Sequence, residues 1–231
     1  MFFPTRANTK KNSSKAGDDV SEQTTHRVNA GSVSRRGFIA LAGGSIGAAS
    51  LLSACGDDSA AGAETSEFGS GDAGILNFLL TLEYTLTDFY SQVKSSTLFT
   101  APERKALGEF GETEEDHAAA LVRQLEKIGA EPTSKPQAKF SLTTDTATLE
   151  LANELENTVA AAYLGQLPHV EGESLRQKLV EIHSVEGRHA AAIAYLQKKP
   201  VTPDGAFAKP SDVKKVMAVF NPHLAEPAPA S

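Results

Sequence analysis

The sequence contains one cysteine, no tryptophan and two methionines in 231 residues. A lone thiol rules out a disulfide framework within the chain. Basic surplus is also missing. The 22 Lys and Arg face 29 Asp and Glu, a net charge of -7, which argues against a nucleic-acid partner. No apolar run is long enough for a good membrane span. The best candidate, from Phe38 to Leu52, is short and rich in Gly and Ala, whereas a spanning helix needs about 20 apolar residues.

That short run has informative flanks. Residues 1–33 are polar and lack apolar periodicity, and Ser34-Arg35-Arg36-Gly37-Phe38-Ile39 precedes the run. A positive patch before a short apolar run reads as a secretory signal. The Arg35-Arg36 pair with Phe38 resembles a twin-arginine export signal. Leu52-Ser53-Ala54-Cys55 resembles a bacterial lipobox, in which Cys55 is lipidated and becomes the mature N-terminus. The two motifs stand in the right order, which favours a signal over a tail with a chance arginine pair. The expectation is a signal segment over 1–54 and an exported protein held by Cys55 on the outer side of the cytoplasmic membrane. Its partners would be the membrane and the twin-arginine machinery. Residues 1–54 carry 7 basic and 3 acidic residues, so 15 basic face 26 acidic in the remainder, a net of -11. Residues 55–71, rich in Gly, Ser, Ala and acid, read as the lipidated Cys and a flexible tether.

Apolar spacing near 3.6 residues marks four helices over 72–199. They run from about Asp72 to Ser95, Pro102 to Gly129, Asp145 to Leu167 and Gly172 to Lys199. The links between the first two and the last two are short, which favours antiparallel neighbours. The link from Gly129 to Thr144 holds Pro132 and Pro136. Extended, it reaches about 50 Å, more than the roughly 40 Å of a 27-residue helix. It can therefore run the whole length of a bundle. Residues 200–231 read as a tail with a short helix near Ser211 to Phe220. Ser211 is its expected cap, Asp212 suits its first turn, and the final AEPAPAS is expected to be disordered.

Six polar residues interrupt the apolar stripes: Glu83, Glu114, His117, Glu156, Glu186 and His189. An unpaired buried carboxylate is very costly, so six such positions in one core need a common explanation. Two divalent cations supply it, since four carboxylates neutralise two M²⁺ and two imidazoles complete the set. A Glu and a His three residues apart share a helix face. One Glu from each of two helices plus Glu-x-x-His from each of the other two is a carboxylate-bridged dimetal pattern. The chain also repeats itself. Glu83 and Tyr90 map onto Glu156 and Tyr163 at an offset of 73, and Glu114 and His117 map onto Glu186 and His189 at 72.

LNFLLTLEYTLTDFY, TEEDHAAAL, ELENTVAAAYLG and HSVEGRHAAAI resemble the ferritin-like superfamily, especially a secreted bacterial branch described as desiccation-associated. The tail segment GAFAKPSDVKKVMAVFNP is similar to that branch too. The resemblance implies an all-α, ferritin-like four-helix bundle with one long crossover between helices two and three, plus a short C-terminal helix. It also implies that Tyr90 hydrogen-bonds a ligand carboxylate across the bundle. Tyr163 either does the same or packs as core. Asp116 and Arg188, each just before a ligand histidine, either pair across the bundle or lie solvated. His183 is a weaker candidate near the ligands, and His169 and His223 read as surface residues.

Carboxylate and imidazole ligands suit iron, ahead of manganese. Two function classes follow. One is a redox enzyme acting on Fe(II) with O₂, or on hydrogen peroxide, in oxidative or desiccation stress. The other is a metal-binding or structural surface lipoprotein without catalysis. The single cysteine leaves no pair for a rubredoxin-type iron. A lipid on each subunit argues against a storage cage, while a homodimer stays open.

Overall fold

The computed structural model describes residues 65–225. Arg35, Arg36, Cys55, most of the tether and the last six residues lie outside the described residues. Five α-helices follow one another: α1 Gly71–Ser95, α2 Ala101–Lys127, α3 Asp145–Gln166, α4 Glu173–Leu196 and α5 Val213–Phe220. Among the described residues the only β feature is an isolated antiparallel bridge between Ala138 and Leu224. No described helix is long and apolar enough to cross a membrane.

Local chemistry sets the helix ends. Thr100 and Glu103 form a capping box before α2, so the helix begins one residue ahead of Pro102. Gly129 closes α2 in the left-handed conformation (φ 72°), with Ala130 N–H donating to Leu125 O at 2.9 Å. Thr144 Oγ1 caps α3 by accepting from Ala147 N. α4 ends at Leu196, three residues before the expected Lys199. Lys198 adopts a left-handed φ of 57° there, and Lys199 N–H donates back to Ala194 O. Asp212, not Ser211, caps α5: its Oδ1 accepts from Lys215 N at 2.8 Å. The Ser211 amide is engaged elsewhere, donating to Ala161 O of α3 at 3.0 Å.

α1 packs on α2 and α3, and α4 packs on α3 and α2. The Asp72 carboxylate accepts from the amides of Glu171 and Gly172, which puts the starts of α1 and α4 at one end of the bundle. The link over 128–144 then carries the chain back to the other end, as its length allows. It lies along α1, where three polar side chains meet its backbone. Asn77 Oδ1 accepts from Thr133 N, Asp88 Oδ2 accepts from Ala138 N at 3.4 Å while its Oδ1 pairs with the Lys135 side chain at 2.6 Å, and Gln92 exchanges bonds with Ala138 O and Phe140 N. α1 is therefore covered on nearly every side. This accounts for a sequence so poor in charge that even its threonines at 81, 85 and 87 are buried.

α5 and the following turn close the fold. Val213, Val216, Met217 and Phe220 are buried, and the tail pairs with the crossover through Lys139 N–His223 O and Ala225 N–Gln137 O, both 2.8 Å. The docking depends on one glycine. A Cβ on Gly165 would lie 2.1 Å from Ser211 O, a clash with backbone that no rotamer relieves. Gly165→Ala is expected to destabilise by at least the roughly 1–3 kcal/mol typical of overpacking and to free the tail. Limited proteolysis at Lys214 and Lys215 reads this out. Wild-type resistance in the variant would refute the close approach.

Candidate metal centre

The middle of the bundle brings all six polar stripe residues together. Glu83 of α1, Glu114 of α2, Glu156 of α3 and Glu186 of α4 are fully buried, with His117 and His189 nearly so. Their ligand atoms fall into two overlapping sets. One is Glu83, Glu114, His117 and Glu186; the other is Glu114, Glu156, Glu186 and His189. Within each set the atoms lie within 4.8 Å of one another. Glu114 and Glu186 belong to both sets, as carboxylates shared between two ions would. Glu83 with His117, and Glu156 with His189, belong to one set each.

Distances and directions both bear on whether ions fit. His117 Nδ1 lies 2.7 Å from Glu186 Oε1, 3.0 Å from Glu114 Oε2 and 3.7 Å from Glu83 Oε2. His189 Nδ1 lies 2.7 Å from Glu114 Oε1 and 3.6 Å from Glu156 Oε2. Much of this closeness is not hydrogen bonding. Glu83 Oε2, Glu114 Oε1, Glu156 Oε2, both Glu186 oxygens and His189 Nδ1 are buried without a hydrogen-bond partner. Leaving such atoms unpaired is costly, and cations between them would remove the cost. The residues therefore fit a pair of metal ions.

Two tyrosines complete the arrangement. Tyr163 Oη donates to Glu83 Oε1 and Tyr90 Oη donates to Glu156 Oε1. Each bond crosses between α1 and α3 and occupies one oxygen of a carboxylate, leaving that carboxylate's Oε2 as the unpartnered one. Burial, reinforced by the adjacent carboxylates, raises both phenols well above their ordinary range. They stay protonated and keep donating. Tyr90 is set in place by Gly111, where a Cβ would come within 2.7 Å of Tyr90 Cβ.

Without metal, protons supply the positive charge. Burial pushes the Glu83 carboxyl up to about 7, although the nearby His117 imidazole opposes this. Burial and the charges of Glu83 and Glu114 raise Glu186 well above the carboxylate range, and burial also raises Glu156. For Glu114 burial acts upward too, but the His117 hydrogen bond and the His189 imidazole 2.7 Å away outweigh it and lower its pKa. Burial disfavours charge on the imidazoles. The hydrogen bond to Glu114 and the carboxylates close by nevertheless lift His117 to about 12, and the carboxylates of Glu114 and Glu156 close to His189 lift it to about 9.

The weaker candidates fall outside the centre. Asp116 and Arg188 are exposed and form no ion pair among the described residues. His183 is half-buried and its Nδ1 lies 3.0 Å from Ala160 O, away from the ligands. His169 and His223 are half-buried rather than on the surface. The His223 ring stacks on Phe140 with centroids 4.8 Å apart, because the tail bridge carries it there. Phe110 is an apolar residue with no ligand chemistry of its own. In the fold its ring stacks on the His189 imidazole at 4.4 Å and 18° and meets Tyr90 edge-on at 5.9 Å. Its position one turn before Glu114 was the available signal.

A family model described as a ferritin-like domain matches residues 71–199, more than half of the chain. No curated protein matches it.

Proposed function

The chain belongs to the ferritin-like domain family, and from that footing we propose that it is an exported dimetal-carboxylate protein, redox-active towards Fe(II) with O₂ or towards hydrogen peroxide. The observation that carries this reading is the set of buried, unpartnered carboxylate oxygens facing one another across four helices. Glu83, Glu114, His117, Glu156, Glu186 and His189 would hold the ions, iron ahead of manganese. A bound pair supplies shared two-electron exchange with oxygen species. The protein's own part is positional. Glu114 and Glu186 tie the two positions together, Tyr90 and Tyr163 fix the carboxylates of Glu156 and Glu83, and the apolar stripes keep bulk water away.

Elemental analysis of the purified chain, followed by turnover with peroxide and with Fe(II) plus O₂, tests this reading. Two iron or manganese ions per chain with acceleration over free ion are expected. Two bound ions without acceleration would favour the alternative, a metal-binding or structural surface lipoprotein. Absence of metal under reconstitution would sink both metal readings and leave only the structural role.

Export and anchoring rest on Arg35, Arg36 and Cys55, and oxidative or desiccation stress is the setting that the resemblance suggests. Replacing Arg35 and Arg36 with Lys is expected to hold the protein in the cytoplasm, because the guanidinium pair is not replaceable by ammonium groups. Cys55→Ser is expected to release it from membranes with its thermal transition unchanged. Normal fractionation of either variant in cells would remove that part of the proposal.

A further inference from the structure

The two ligand sets come from a repeated sequence, yet their surroundings differ. At the offset of 72 that maps Glu114 onto Glu186, Phe110 maps onto Ile182. Phe110 puts an aromatic face on His189, whereas Ile182 is an aliphatic core residue. Behind Phe110 lies a cavity of about 650 Å³ at the end of the bundle where α2 and α3 begin and α4 ends. Phe110 is thus a wall of that cavity and a neighbour of one ligand set only.

The cavity has the size and make-up of a small-molecule site. Phe99, Leu107, Phe110, Leu149 and Leu196 give it apolar walls. Charges at its rim are largely engaged within the chain. Glu103 accepts from Thr100, Asp145 from Thr146, and Glu150 pairs with Lys199 at 3.3 Å. Lys198 lines the rim as well, but three carboxylates there outnumber the two lysines and oppose an anion, whereas an uncharged ring needs none of these groups and can pack against Phe99 and Phe110.

We infer that this cavity binds a small uncharged aromatic molecule and that Phe110 transmits its presence to the Glu156/His189 side of the centre. The binding half stands on the cavity alone; the transmission half rests on the dimetal reading above. Occupancy would press on the Phe110 ring, and through it on the His189 imidazole and on Tyr90, which holds Glu156. The centre would then be asymmetric in use despite its repeated origin.

The test uses benzyl alcohol as a neutral probe and benzoate as its anionic counterpart, titrated against the full chain by ligand-observed NMR. Metal-free protein is expected to bind benzyl alcohol at least tenfold more tightly than benzoate. Ala106→Trp and Leu149→Trp should each weaken that binding at least tenfold. Both positions line the cavity without being fully buried, so the fold should tolerate the larger ring. Equal or tighter benzoate binding overturns the ligand class, and undiminished binding in both tryptophan variants overturns the location. In cobalt-loaded protein, saturating benzyl alcohol should shift the visible d–d spectrum, and Phe110→Leu, brought to saturation at whatever higher probe concentration the loss of its ring requires, should show a smaller shift. An unshifted spectrum at saturation overturns the transmission. A chain that binds the probe but takes up no cobalt refutes the metal reading and leaves the pocket standing.

Discussion

Glu114→Leu combined with Glu186→Leu is expected to give a folded chain that binds no metal and melts, in metal-free buffer, no lower than the wild type. These two carboxylates are the ones common to both ligand sets, so a single double change dismantles both positions. Both are fully buried, and both Glu186 oxygens lack a hydrogen-bond partner. Replacing buried ionic groups with apolar ones of similar volume is often neutral, or stabilising by about 1–4 kcal/mol. His117→Ala and Glu186→Ala should each lower metal content sharply, because each removes a ligand without filling its space. Metal analysis with thermal melts, with and without chelator, reads out all four proteins. If the double variant still carries two ions, the core does not hold them as described. If chelator leaves the melt of metal-loaded wild type unchanged, the buried carboxylates are not there for cations.

The second large effect is a reversal of pH dependence between metal-free and metal-loaded protein. In the metal-free fold, Glu83 keeps its proton up to about 7 against a reference of 4.5. The folded state therefore binds more protons than the unfolded one across that window, and stability falls as pH rises through it. At about 1.36 kcal/mol per pKa unit, this group alone contributes on the order of 3 kcal/mol. His189, raised from 6.5 to about 9, and His117, raised to about 12, act in the same direction at higher pH. Their stabilisation is complete below 6.5 and is lost as pH rises through their folded values. Ions bind only the deprotonated ligands, so metal affinity rises over the same range and its linked stabilisation grows with it. The gap in Tm between metal-saturated and chelated protein should widen markedly from pH 5.5 to pH 8. A gap that narrows would mean that protons and metal do not compete for these side chains.

Most of the bundle was legible because burial and helix period leave the same mark on a sequence. Glu83, Glu114, Glu156 and Glu186 stood out as charges where the 3.6-residue period demanded apolar groups, and all four meet in the core. The crossover was legible as a length, but its attachment was not. The contacts of Asn77, Asp88 and Gln92 are polar side chains meeting loop backbone, and no periodicity encodes them. The tail's bridge at Ala138 and Leu224 is a single pairing, too short to leave an alternating pattern. Two adjacent residues, Ser211 and Asp212, both had cap chemistry. The choice between them was made by α3, which draws on the Ser211 amide across Gly165. The partner of Tyr163 was equally undecidable, because a tyrosine in an apolar stripe packs the same way whether or not its hydroxyl finds a carboxylate.

The division of the ligand sets among the helices bears on biosynthesis. Each set draws on residues before and after the crossover: Glu83, Glu114 and His117 on one side, Glu156, Glu186 and His189 on the other. A nascent chain that has emerged only as far as the crossover presents three of the six and neither complete set. The first position is completed at Glu186 and the second only at His189, late in translation. A truncated product ending before α4 would own neither site, so metal capture would double as a readout of chain completeness.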